Sequence, residues 1–249
     1  MQEQKMNICL LNDSFPPTID GVSNTVFNYA SVIHGSLGNV VVGTPQYPGA
    51  RDECPFPVVR YPSLRIKKIT DYRTGVPFDP VSVRAILGYE PDIIHTHCPF
   101  ASALLARTLR RLGGAPIVFT YHTKFDIDIA NIFGTELMRA AAAKFLVSNV
   151  EECDEVWVVS RGAGENLKSL GYAGGVTVMK NGVDFPKGRV PRRAIDAVSE
   201  KHALPDGVPV FLFVGRMMWY KGIRMILDGL VRVKKRGADF RMVFVGSGG

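Results

Sequence analysis

Ile8-Cys-Leu-Leu-Asn-Asp-Ser-Phe-Pro-Pro-Thr-Ile-Asp-Gly-Val22 passes from an apolar run, through a polar bend with two prolines, to a glycine at the mouth of a helix. The run Ile8 to Leu11 is short and continuous, as a buried parallel strand is. After Gly21 the apolar residues recur at Val22, Val26, Tyr29 and Ile33, the spacing of one helix face. A glycine at this junction lets a ligand come close to the backbone, and the free amides of the helix start favour an anion such as a diphosphate. Glycine also serves simply to make such a turn, so the position alone leaves both roles open.

The same alternation continues along the chain. Strand candidates follow at Val40 to Val42, Val58 to Tyr61, Asp92 to His95, Ile117 to Tyr121, Val156 to Val159 and Val176 to Met179. Helical segments lie between them, including a long Ala-rich one whose Leu137, Ala141 and Phe145 are expected to line the packed side. This is the pattern of a doubly wound α/β sheet, and residues 1–190 read as one Rossmann-like domain. Past Asn181-Gly182 a polar stretch with prolines, a short helix and Pro205-Asp-Gly207 read as a linker, bounded at 191–206. A second βαβ unit then begins at 207, with strand Val210 to Val214, helix Gly222 to Lys235 and strand Arg241 to Val245. Two strands in so short a segment cannot bury a sheet on both faces, so the chain is expected to end inside its second domain.

Bulk composition narrows the function classes. No apolar run approaches the roughly 18 to 20 residues of a spanning helix, and Met1 to Lys5 lead straight into the first strand without a leader pattern, so a cytoplasmic protein is expected. Cys9, Cys54, Cys98 and Cys153 are scattered without C-x-x-C spacing, which speaks for reduced thiols and against a disulfide framework or zinc ribbon. The net charge is +7, but residues 1–190 carry 19 Lys/Arg against 18 Asp/Glu, and 191–249 carry 11 against 5. The excess is therefore carboxy-terminal and comes with no recognition-helix, RNP or zinc-finger pattern, so nucleic acid is not an expected partner.

Two sets of residues carry chemistry. In the second unit the strand ends in Gly215-Arg216, and Lys221-Gly222 opens the next helix. Two cations at the carboxyl edge of a parallel sheet, one at a helix start, can grip phosphate oxygens. In the first unit His95-Thr-His97 ends one strand and Tyr121-His122-Thr123 the next. His95 and His97 point to the same side of a strand, but no further ligand at metal spacing accompanies them, and buried, hydrogen-bonded histidines with no metal are expected. Asp126-Ile-Asp128 has the D-x-D form of a metal-diphosphate site, and the two-unit pattern with its cationic grip assigns it no such role.

The ordered segments Asp13-Ser-Phe-Pro-Pro-Thr-Ile-Asp-Gly-Val22, Pro91-Asp-Ile-Ile-His-Thr-His97, Thr120-Tyr-His-Thr123, Val158-Val-Ser160, Lys180-Asn-Gly-Val-Asp184 and Phe213-Val-Gly-Arg216 with Lys221-Gly222 together resemble the landmarks of the retaining family 4 glycosyltransferases. The resemblance implies a GT-B fold, α/β with two Rossmann-like domains, the second incomplete. It implies a nucleotide-sugar donor whose diphosphate approaches Gly21 and is held by Gly215, Arg216 and Lys221, with His122 beside the transferred sugar. It implies transfer with retention, the donor phosphate helping to deprotonate the acceptor, with no cofactor and no required metal.

On the acceptor side the resemblance points to Asp13, Asp20, Tyr121 and Thr123 and to a lipid or glycan acceptor. The cations Arg60, Arg65, Lys67, Lys68 and Arg73 suggest an anionic membrane surface and a peripheral location on the inner face of the cell membrane. The family's pair of glutamates further along the second domain has no counterpart in this chain, so the 249-residue polypeptide alone is expected to bind donor poorly and to transfer little or nothing. Other readings are a non-catalytic sugar-nucleotide-binding module and a GT-B sugar-nucleotide epimerase. A nicotinamide oxidoreductase would need G-x-G-x-x-G after the first strand, and Gly21 lacks those companions.

Overall fold

A computed structural model describes residues 5–18, 20–65, 73–122, 124–183 and 188–248, with the side chains of residues 128 and 131 left aside. Thr123, Lys67, Lys68 and Asp184 lie outside the described residues. The chain divides into two compact units, Met1–Asp184 and Phe185–Gly249.

The first unit runs β1 (Met6–Leu11), α1 (Gly21–Val32), β2 (Gly38–Pro45), β3 (Val58–Tyr61), β4 (Ser63–Arg65), β5 (Arg73–Gly75), α2 (Pro80–Leu87), β6 (Ile93–Thr96), α3 (Ala101–Gly113), β7 (Ile117–Tyr121), α4 (Phe125–Ile132), α5 (Glu136–Glu151), β8 (Glu155–Val158), α6 (Arg161–Ser169) and β9 (Thr177–Val178). Seven strands form one parallel sheet in the order β3-β2-β1-β6-β7-β8-β9, while β4 and β5 pair as a small antiparallel hairpin. Ile8 of β1 lies beside Val40 of β2 and Ile93 of β6, which puts the chain's first strand at the centre of the sheet.

The two-residue period of a strand sends alternate side chains to opposite layers. Cys9 and Leu11 join a core with Val83, Ile86, Leu105 and Leu109 of α2 and α3, whereas Leu10 joins Val26, Ala30, Val40 and Val42 on the α1 side. Phe119 and Tyr121 of β7 pack with Leu146, Val147 and Val150 of α5 and Leu167 of α6. The expected packing face of α5 is corrected here. Leu137 is 82% exposed and Phe145 is exposed as well, because α5 turns the face carrying Leu146, Val147 and Val150 toward the core. The stripe that reaches the core is 146, 147 and 150, one helical step from the expected one.

The second unit holds α7 (Arg192–Lys201), β10 (Val210–Val214), α8 (Ile223–Lys235) and β11 (Arg241–Val245). β10 and β11 are parallel, with Val210 beside Arg241 and Val214 beside Val245. A two-stranded sheet has too little area to cover its own apolar side chains. Phe211, Leu212 and Val214 are accordingly exposed, and none of the described residues of α8 is buried.

Candidate functional site

The strand order of the first unit reverses between β1 and β6, so the loops that follow these two neighbours leave in opposite directions and open a crevice at their carboxyl ends. Open α/β sheets bind their ligands at that switch point. Residues 12–18 and 20 after β1, 97–100 after β6 and 122 and 124 after β7 converge on it. Two shallow concavities elsewhere, one lined by Leu87, Glu90 and Pro91 and the other by Asn7, Asn39 and Pro91, lie at the amino ends of the strands and gather none of the expected site residues.

The loop after β1 is held from several sides. Asn12 Nδ2 donates to the Ser14 carbonyl at 2.7 Å, and the Arg60 guanidinium donates to the Pro16 carbonyl while paired with Asp52 at 2.7 Å. Arg60 is thereby buried and its charge matched, and Arg73 donates to the hydroxyl and carbonyl of Ser63. Asp13 caps another element. Its Oδ1 accepts from Ser102 N at 2.7 Å and its Oδ2 from Ala101 N at 3.2 Å, at a helix start that has no side-chain cap of its own. A carboxylate on the free amides of α3 satisfies two orphan donors and matches the helix dipole. Burial nevertheless pushes the Asp13 carboxyl above its usual range, against hydrogen bonds from Cys98, Ser102 and Ala101 that pull it down.

Asp20 is the cap of α1: its Oδ1 accepts from Val22 N at 2.9 Å and Ser23 N at 2.8 Å, while its Oδ2 is buried without a hydrogen-bond partner. Two amides of the helix start are therefore already engaged. Gly21 follows directly, and a Cβ placed there would meet nothing within 4 Å. Neither backbone conformation nor internal packing demands glycine at this position.

Above the α1 side of the sheet stands a column of rings. His95 stacks on His97 with centroids 4.1 Å apart, and His97 stacks on His122 at 5.1 Å. Trp157 meets His95 edge-on at 5.1 Å, and Tyr29 of α1 meets His97 at 5.6 Å. His95 Nε2 bonds Thr120 Oγ1 at 2.7 Å, and His97 Nδ1 bonds His122 Nε2 at 2.8 Å. The remaining nitrogens of that second pair, His97 Nε2 and His122 Nδ1, are buried with no partner among the described residues. Desolvation holds all three rings neutral, driving His95 down to about 3 and His122 to about 4, with His97 well below the ordinary range. The Asp20 carboxylate opposes the shift of His122, which places its negative charge near that ring.

Tyr121 turns the other way. It is fully buried, and its hydroxyl donates to Asn166 Oδ1 at 2.8 Å and accepts from Phe125 N at 3.3 Å, tying β7 to α6 and α4. Asp126 sits on α4. Among the described residues no group of three or more His, Cys, Asp or Glu is arranged to hold a metal ion.

In the second unit the loop after β10 is built on glycines. Gly215 and Gly246 both have φ of 148°, and a Cβ on Gly246 would fall 1.9 Å from the Gly215 carbonyl oxygen, so the two turns interlock only as glycines. Arg216 and Lys221 converge on one side chain. Arg216 Nη2 reaches Tyr220 Oη at 3.4 Å, and Lys221 Nζ sits 5.6 Å over the same ring. Gly222, at φ 75°, turns the chain into α8.

Residues 19–186 match the family model described as Glycosyltransferase Family 4. The chain belongs to glycosyltransferase family 4. A GDP-mannose-dependent alpha-mannosyltransferase of Mycobacterium tuberculosis is 29% identical over 98% of this family 4 chain and 63% of its own length. An alpha-monoglucosyldiacylglycerol synthase of Streptococcus pneumoniae is 22% identical over 98% of the chain and 56% of its own length. The chain thus spans about three fifths of the curated relatives it matches. Among solved structures, sucrose-phosphate synthase from Thermosynechococcus elongatus superposes with a TM-score of 0.69 at 17% identity, over 97% of this chain and 62% of that one. The Anabaena protein HepE, solved with UDP and glucose, gives 0.68 at 15% identity, over 97% and 69%. These likenesses establish the GT-B fold.

Within this family 4 chain the structure gathers Asp20, Gly21 and His122 about one crevice and, separately, Gly215, Arg216 and Lys221 about one loop. Three contributions escape a reading of the sequence: Asp13 as the cap of α3, Tyr220 as the side chain that both cations touch, and the bond between His97 and His122. The H-x-H spacing marks a same-side pair, but nothing local in the chain marks a partner 25 residues away.

Proposed function

We propose that this chain carries the acceptor-side unit and the opening of the donor-side unit of an enzyme that moves a sugar from a nucleotide-sugar donor to a lipid or glycan acceptor with retention of configuration. The observation that carries the reading is the crevice at the sheet's switch point, where Gly21 keeps an open space and Asp20 Oδ2, His97 Nε2 and His122 Nδ1 are polar, buried and without partners. Such groups are costly unless a ligand or water completes them. Gly21 leaves the crevice of the first unit open to a diphosphate, Gly215, Arg216 and Lys221 supply the phosphate-binding loop of the second, and His122 borders the transferred sugar. As the glycosidic bond breaks, the two cations offset the charge gathering on the leaving nucleoside diphosphate, so the chemistry needs no metal. The donor phosphate takes the acceptor proton on the face the leaving group vacates. His122 is neutral at pH 7 and orients the sugar instead of removing that proton.

On the acceptor side Asp20 is the residue nearest the chemistry. Asp13 and Tyr121 act by setting the loops on either side, and Thr123 follows His122 directly. A lipid acceptor agrees with the glucosyldiacylglycerol synthase among the relatives. Attraction to an anionic membrane would then rest on Arg65, Lys67, Lys68 and Arg73, since Arg60 is neutralised by Asp52. Calorimetric titration with GDP, UDP, GDP-mannose and UDP-glucose tests the reading. Binding of one nucleotide, weak as it is expected to be in this chain, that is lost in Gly21→Trp supports it, and no binding of any of the four even at millimolar concentration defeats it.

A further inference from the structure

His97 and His122 share one hydrogen bond, Nδ1 to Nε2 at 2.8 Å, and with both rings neutral that bond holds a single proton. Two arrangements satisfy it. In one, His97 Nδ1–H donates to His122 Nε2, which leaves a bare lone pair on His97 Nε2 and an N–H on His122 Nδ1. In the other, His122 Nε2–H donates to His97 Nδ1, which forces an N–H onto His97 Nε2 and leaves His122 Nδ1 bare. Each arrangement strands one N–H, and they differ in where it lies. An N–H with no acceptor loses its water without recompense, so surroundings decide the choice.

His97 is 1% exposed, stacked on His95 at 4.1 Å and closed off by Tyr29. No acceptor among the described residues reaches its Nε2. His122 Nδ1 is buried too, but its ring lies in the field of Asp20, whose Oδ2 is itself without a partner. A positive N–H dipole gains from that charge, and a lone pair in the same place is repelled by it. We infer that His97 is a positioning residue whose Nδ1–H donates to Nε2 of His122 and holds that ring in its Nδ1–H form, so that His122 offers the transferred sugar a hydrogen-bond donor and no basic lone pair. Only the mention of the sugar rests on the function proposed above; the direction of the bond does not.

The test is a long-range 1H–15N correlation spectrum of the 249-residue protein labelled with 15N-histidine, at pH 7 and without ligand. It separates N–H-bearing from bare ring nitrogens, and the His122 pattern is identified by its loss in His122→Gln. The expected wild-type result is an N–H-type Nδ1 and a bare-type Nε2 on His122. His97→Phe keeps the stacking but has no donor, and should release His122 to the Nε2–H form that free histidine prefers. His97→Asn, whose amide nitrogen occupies the place of Nδ1, should restore the Nδ1–H form. A bare Nδ1 on His122 in the wild type overturns the inference even if neither variant folds, and so does a His122 pattern unchanged in His97→Phe. Failure of the nucleotide-sugar assignment would appear in calorimetry and leave these spectra as they are.

Discussion

Lowering the pH from 7 to 5 should strip stability from the first unit, and the histidine column sets the amount. His95 is neutral in the fold down to about 3 and His122 down to about 4. The unfolded chain protonates each near 6.5, so between 6.5 and the folded values the unfolded state binds the extra proton and stability falls as pH falls. By pH 5 each ring removes about 2 kcal/mol, a large share of the roughly 5 to 15 kcal/mol that holds a domain together. His97, shifted the same way, adds to the loss. Asp13 works in the opposite direction: with its carboxyl raised, the fold takes up a proton before the unfolded chain does, and regains stability below that raised value. Urea unfolding at half-unit steps from pH 7.5 to 5, followed by Trp157 fluorescence in a Trp219→Phe background, measures the balance. His95→Gln isolates one ring, since its amide can still reach Thr120, and should flatten the slope below pH 6 by about 1.4 kcal/mol per pH unit. An unchanged slope in that variant, or a wild type equally stable at 7 and 5, would refute the account of the column as buried neutral rings.

Gly21→Ala should leave urea stability the same or up to about 1 kcal/mol higher, because alanine suits a helix start and its methyl meets open space, while affinity for the bound nucleoside diphosphate falls at least tenfold. Equal affinity by calorimetry would end the close-approach role of this position. Arg216→Ala and Lys221→Ala, introduced separately into a protein that turns over, should each slow transfer by an amount on the order of 3 kcal/mol of barrier without moving the melting temperature. A radiolabelled-sugar assay that finds wild-type rates in either variant contradicts the phosphate grip. Asp13→Ala should destabilise the first unit by about 3 kcal/mol, since the amides of Ala101 and Ser102 lose a charged acceptor, and Asp13→Asn should recover part of it. A loss below about 1 kcal/mol in urea would show that α3 does not depend on this cap.

The elements were legible because they are local. Each strand of the large sheet shows as an apolar run, and α1 and α8 show as apolar residues at helical spacing, so their existence and order follow from neighbours within a few residues. The glycine that opens α1 and the two cations around the second βα turn are local too, and so was the type of chemistry they suggest. α5 marks where this stops: its alanines give every face similar hydrophobicity, and only the sheet beneath it selects 146, 147 and 150 over 137, 141 and 145.

What the chain's order of residues determined by itself was the alternation of strand and helix, the division into two βα-built parts, and the residue types at the loop ends. Tertiary structure alone decided which of those residues meet. Asp13 finds its amides 88 and 89 positions away, and His97 finds His122 across the gap between two parallel strands. It also decided that Tyr121 faces the core while His122, one residue on, joins the ring column. The physical reason is that periodicity is a property of consecutive residues, whereas burial, pairing and proton position depend on groups that become neighbours only when the sheet closes.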